Sequence, residues 1–198
     1  MDHYGVFKQV FRQYACQKQY AQKYDEHANV RIIPLGYMFG TLFTSSVDHA
    51  KKTLLDINST RNNRWLFVGT VQKSDRLHAI DVFRNITPNF HGSSEKHNIV
   101  GIYQQSDFVV SPRGNVNLDC FRHYEASMNG AIPVIVGDFQ EVRDTFGHFI
   151  SKPPWLFANS WQEAKNTVLA LVADRESLVK KRTRVVEWWL SEMQNFTR

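Results

Sequence analysis

The sequence predicts an α/β fold, an open parallel sheet with helices packed on it, and two observations lead there. Three short apolar runs, "RWLFVGT" at 64–70, "DFVVSP" at 107–112 and "IPVIVGD" at 132–138, end in turn formers or a capping residue, as strands buried on both faces do. The last two flank a helical pattern within some thirty residues, and a strand, helix and strand of that length form a βαβ unit with parallel strands and a right-handed crossover.

From Tyr4 to about His27 the pattern is helical, with Val6, Phe7, Val10, Phe11 and Tyr14 at spacings of three and four. "NVRIIPLGY" gives a short strand ended by Pro34 and Gly36. Met38 to Asn63 is polar and irregular, and "DINSTRNNR" reads as a loop or linker. After the strand at 64–70, Ser74 or Asp75 can cap a helix with an apolar stripe of Leu77, Ile80 and Phe83, continued by Ile86. "TPNFHGSSEKHN" reads as loop and "IVGIY" as a further strand.

"NLDCFRHYEASMNG" is the clearest helix, with Asp119 as its N-cap and Asn129-Gly130 as its stop. Two more helices begin near Ser160 and Asp174, anchored by Trp188, Trp189 and Met193. The expected division is a helical lead-in and linker at 1–63, part of something larger, and an α/β domain at 64–198.

With 42% hydrophobic and 13% aromatic residues, the 198-residue chain can bury a sizeable core. No window reaches the roughly 18 apolar residues that cross a bilayer, and "MDHYGVFKQVFRQYACQKQY" lacks the pattern of a signal peptide. A net charge of +5 favours anionic partners such as phosphates, acidic glycans or nucleic acid, although no RNA- or DNA-binding signature occurs. "KKRTR" at 180–184 reads as the solvated face of a terminal helix.

Cys16 and Cys120 have no metal-ligand spacing and form no disulfide framework. The sequons at Asn58, Asn85 and Asn195 tilt weakly toward a secretory lumen. The histidines show no HExxH pairing, so His123 reads as a helix-surface or packing residue rather than a metal ligand, and Ser111 and Ser127 lack a nucleophile elbow. The four tryptophans after residue 150 read as core, with stacking of Trp155 on a sugar as the alternative.

Open parallel sheets bind ligands outside the carboxyl ends of their strands. Two loops there are chemically unusual: "GTVQKSDR" at 69–76 and "SPRGNVNLD" at 111–119. Pro112 and Gly114 shape the second loop and Arg113 sits at its tip, while the next helix points free N–H groups toward an occupant such as a phosphate. Arg122 and Glu125 are three residues apart on that helix and can share a face. A guanidinium fork matches phosphate oxygens and a carboxylate accepts from two ribose hydroxyls, a pairing suited to a nucleoside diphosphate. The plainer alternative is a surface ion pair beside an ordinary turn. Neither loop is a Walker or dinucleotide motif.

"FVVSPRGN" followed by "LDCFRHYEASMNGAIPVIVGD" resembles the signature of exostosin-type glycosyltransferases, of the family 47 kind, in order and spacing. "CFRHYEA" and "NSWQEA" are similar to the ribitol xylosyltransferase branch, and "VFRQYA", "VRIIPLGY" and "LFVGTVQKSDR" extend a weaker similarity over most of the chain. The resemblance implies a Rossmann-like domain, the C-terminal, donor-binding half of a GT-B fold. It puts Arg113, Gly114 and Arg122 near the diphosphate of a nucleotide-sugar, a UDP-sugar by expectation, and Glu125 on the ribose. Gly69, Lys73 and Arg76 are further expected donor contacts.

The implied activity is transfer of a sugar to a glycan or glycoconjugate with inversion, and the implied compartment is the Golgi lumen or another secretory lumen. No Asp-x-Asp triplet indicates a metal, and no residue presents itself as the catalytic base. An acceptor domain has no room before Arg64, so a missing N-terminal domain or a partner subunit is expected. The rival readings are a non-catalytic nucleotide-sugar-binding or scaffold module that works with a partner, and a basic nucleic-acid binder, which would show steep salt dependence.

Overall fold

The computed structural model describes residues 10–12, 30–32, 35, 46–72, 74–93, 99–114, 117–147, 149 and 151–196. Strands β1 (Val10–Arg12) and β2 (Val30–Ile32) pair in parallel as a two-stranded sheet. The helical reading of Tyr4 to His27 therefore fails at Val10–Arg12, where backbone pairing with a distant segment overrides the local period; the remainder of that stretch, with Pro34 and Gly36, lies outside the described residues.

Helix α1 (Ser46–Leu55) occupies the polar stretch expected to be irregular. Ala50, Thr53 and Ile57, at spacings of three and four, are buried, and the helix packs on α7 (Arg175–Phe196) and α4 (Phe121–Met128). So narrow a stripe is hard to see among polar neighbours, and tertiary contact stabilises the helix more than propensity does.

The main sheet follows with β3 (Asn63–Val68), α2 (Ser74–Phe83), β4 (Asn89–Gly92), α3 (Ile99–Gln104) and β5 (Ser106–Val110). After α4 come β6 (Ile132–Val136), α5 (Phe139–Phe146), β7 (Leu156–Ala158), α6 (Trp161–Ala173) and α7. The five strands pair in parallel in the order β4-β3-β5-β6-β7. Trp65, Phe67, Phe108 and Val110 join the larger core cluster, whereas Leu66, Val68 and Val109 join a smaller one with Tyr103 and Ala126. Alternate residues thus bury on opposite faces, which is why these strands read as continuous apolar runs.

Several expectations are corrected here. The stretch read as loop contains β4, an edge strand whose residues are half-buried or exposed and so carry no apolar signature. "IVGIY" belongs to helix α3, a run too short for its period to distinguish helix from strand. Leu77 is 48% exposed, while Ile80, Phe83 and Ile86 are buried as expected. Helix α5 and strand β7 complete the fold at positions where the sequence reading placed no element.

The two C-terminal helices begin where expected, with Ser160 accepting from the Glu163 amide as N-cap of α6. Trp188 and Trp189 are buried in the core, and the Met193 side chain lies outside the described residues. Arg182 corrects the reading of "KKRTR" as a solvated face, because it is fully buried. Among the described residues no helix is long and apolar enough to cross a membrane.

Candidate functional site

In this strand order the chain runs from β3 out to β4 and then crosses back over β3 to β5, so the direction of winding reverses and the sheet has a topological switch point between β3 and β5, where open parallel sheets bind ligands at their carboxyl ends. The two loops singled out from sequence are the ones that meet there. Gly69 follows β3, and a Cβ there would stand 3.4 Å from Arg122 Nη1. Arg122 itself comes from the first turn of α4 and is half-buried. Its guanidinium lies 5.2 Å from the centre of the Phe67 ring, and it donates from Nη2 to the Pro112 carbonyl at 3.2 Å and from Nη1 to Val68 O at 3.5 Å.

Arg76, on α2, joins this cluster. Its Nη1 donates to Thr70 O at 2.8 Å. Burial and then the neighbouring Arg122 charge lower its pKa, so two cations share the switch point. The Nε atoms of Arg76 and Arg122 have no hydrogen-bond partner among the described residues, although both are buried. Unused donors of like charge at the mouth of a parallel sheet suit a polyanion.

The described residues of the loop after β5, 111–114 and 117–119, are held tightly. Gly114 donates its N–H to Asn117 O at 2.9 Å, and a Cβ there would fall 2.2 Å from the Asp119 carbonyl oxygen, so no larger residue fits. The Arg113 amide donates to Asp75 Oδ2 at 3.2 Å, and the Arg113 guanidinium, exposed at the loop tip as expected, pairs with Glu141 of α5. Asp75, one of the two residues read as the cap, lies within the first turn of α2 and acts as a brace: its other oxygen accepts from Trp161 Nε1 at 2.9 Å.

Asp119 is also corrected. Helix α4 starts at Phe121, so Cys120 holds the cap position, without a side-chain cap bond. Asp119 stands one residue too early and instead accepts from Tyr124 OH at 2.7 Å and from the Leu35 amide at 3.2 Å. Asn129 and Gly130 end the helix as expected, with Gly130 at φ +68°.

Glu125 sits one turn behind Arg122 and is 3% exposed, which rules out the surface ion pair. Its Oε2 accepts from Tyr103 OH at 2.8 Å. His123 is fully buried, donates from Nε2 to Leu118 O at 2.7 Å and packs edge-on against Phe146 and tilted against Trp155, which makes it a packing residue and not the helix-surface alternative. Trp155 is core as well, 3% exposed, with its indole N–H donating to Ser127 Oγ at 2.8 Å.

Of the expected donor contacts, the structure brings Gly69, Arg76 and Arg122 together, with Arg113 and Gly114 on the adjoining loop and Glu125 one turn along α4; Lys73 lies outside the described residues. The sequence reading missed Glu141 and Tyr103 and gave Asp75 another role. A separate groove of about 290 Å³ between α5 and β7, lined by Phe139, Arg143, Phe146, Lys152 and Phe157, shares no residue with the switch-point cluster. Among the described residues no three His, Cys, Asp or Glu side chains are grouped so as to hold a metal ion.

No curated protein matches the chain. Among solved structures, the crystal structure of Anabaena Alr3699/HepE in complex with UDP and glucose superposes with a TM-score of 0.59 at 12% identity. The match covers 93% of this chain and 59% of that one, so the chain spans well under two thirds of its structural neighbour's length. The shared architecture agrees with the α/β, Rossmann-like fold expected from sequence. The family described as RXYLT1 C-terminal domain matches residues 45–197, more than three quarters of the sequence, and the chain belongs to that family.

Proposed function

We infer that this chain is the donor-binding half of a GT-B glycosyltransferase, which takes a UDP-sugar and transfers the sugar to a glycan or glycoconjugate with inversion. The observation that carries this reading is the meeting of Arg76 and Arg122 with Gly69 at the switch point of the sheet, with the Arg113 amide held beside them on Asp75. Family membership and a neighbour solved with UDP support it.

In such a transfer the acceptor oxygen forms a bond to the anomeric carbon as the bond to the diphosphate breaks, and negative charge develops on the leaving group. Arg122 and Arg113 would stabilise that charge, and Gly69 and Gly114 would let the backbone approach the phosphates. Glu125 would accept from the ribose hydroxyls. The acceptor site and the base that removes the acceptor proton would come from a further domain or a partner, with 1–63 as the lead-in to 64–198. The exposed sequons at Asn58 and Asn85 fit work in a Golgi or other secretory lumen.

Calorimetry with UDP, and with GDP, ADP and CMP for comparison, tests this reading. The expected result is selective UDP binding that Arg122→Ala and Glu125→Ala each weaken by about 1 to 3 kcal/mol, the cost of losing a charged hydrogen bond. Absence of nucleotide binding by the folded chain would refute it.

A further inference from the structure

The donor reading assigns Glu125 to the ribose but leaves open what aims it. The terminal torsion of a glutamate is broad, so a carboxylate plane is fixed only by what surrounds it. Here Tyr103 OH donates to Glu125 Oε2 at 2.8 Å, and both residues are almost fully buried.

Tyr103 is itself held at both ends. Its ring belongs to the small cluster with Leu66, Val68, Val109 and Ala126, between the sheet and α4. Its backbone carbonyl accepts from Arg61 Nη1 at 3.1 Å. Burial, and then the Glu125 charge, raise the phenol pKa well above its ordinary value, so the hydroxyl stays a donor at any pH at which the chain would work.

We propose that Tyr103 is a positioning residue that sets the orientation of the Glu125 carboxylate and thereby gives the site its preference for ribose over deoxyribose. The proposal rests on the donor reading of the switch-point cluster. Its chemistry is specific: a carboxylate with one oxygen on a fixed phenol meets a vicinal diol in a defined geometry, and loss of either diol hydroxyl or of the phenol should weaken the same interaction. A tyrosine that only filled space would affect every nucleotide equally.

The test is calorimetry of the full chain with UDP, 2′-deoxy-UDP and 3′-deoxy-UDP, for wild type, Tyr103→Phe and Glu125→Gln, with thermal melts to verify folding. Wild type should prefer UDP over both deoxy forms by about tenfold, as the loss of one charged hydrogen bond predicts. In Tyr103→Phe that ratio should fall toward one through weaker UDP binding, with the deoxy affinities within about twofold of wild type, since the ring and its packing remain. Glu125→Gln should show the same collapse.

A wild-type ratio retained in either variant overturns the proposal, and so does an equal weakening of all three nucleotides, which would mark a packing role. Each of those results leaves the donor reading standing. If wild type binds none of the three, both fail.

Discussion

Cys120 opens the first turn of α4 with its sulfur 3.3 Å from Ser111 Oγ and 3.5 Å from His123 Nε2. Burial pushes its thiol up, but the neighbouring His123 and Arg122 charges outweigh that and bring it down to about 6. His123 shifts the other way: burial lowers it, and the Cys120 thiolate more than offsets this. An acid whose folded pKa lies below its ordinary value ionises earlier as pH rises. The thiolate absorbance lost in Cys120→Ser should therefore appear as pH increases through about 6; a step only above 8 would show that the cationic neighbours do not reach the sulfur. Arg122 and Glu125 were legible in sequence because they lie within one turn, whereas Tyr103 lies 22 residues from Glu125 and Asp75 lies 38 from the amide it holds. No local pattern announces such partners.

Helix α4 carries much of the site, and its C-terminal end is where neighbouring elements meet. Gly130 adopts φ +68°, and a Cβ there would lie 2.9 Å from Ile57 Cδ1 and 3.0 Å from both Thr53 Cγ2 and Arg61 Nη2. Left-handed strain and crowding add, so Gly130→Ala should cost about 2 to 3 kcal/mol in urea unfolding, with no change in slope. A loss below about 0.5 kcal/mol, the usual scale for a surface change, would mean that α1 moves aside freely. The stop signal at Asn129-Gly130 was readable because left-handed backbone needs such residues. The polar edge strand β4 and the narrow-striped helix α1 were not, since each is specified by the element beside it. The apolar run of α3 was misread because a six-residue helix and a buried strand look alike.

Across the whole molecule, the amino ends of the strands are organised by buried arginines. Arg61 donates to the carbonyls of Tyr103, Ser106 and Asn129, and Arg182 to those of Gly130 and Ser59, so both cap the carboxyl ends of helices where positive charge is favourable. Asp107 answers them, 3.6 Å from Arg182 Nη1 and 3.0 Å from Arg64 Nη1. Asp107→Asn should destabilise the chain by about 3 kcal/mol, because it leaves buried cations without their carboxylate; an unchanged melting midpoint would count against that account.

The α/β class was legible because three strands contain continuous apolar runs, and the two loops that meet beside β3 because of their turn formers and charges. The order of the strands, and with it the switch point, was not, since it depends on where β4 pairs. The brace at Asp75 spans this scale as well, tying the first residue of α6, 86 residues away, to the loop tip at Arg113. The protein's own contacts thus hold the Arg113 backbone against helices α2 and α6. For the proposed donor, little backbone entropy would then be lost at Arg113, and capture would be governed by diffusion and charge rather than by slow ordering of that residue.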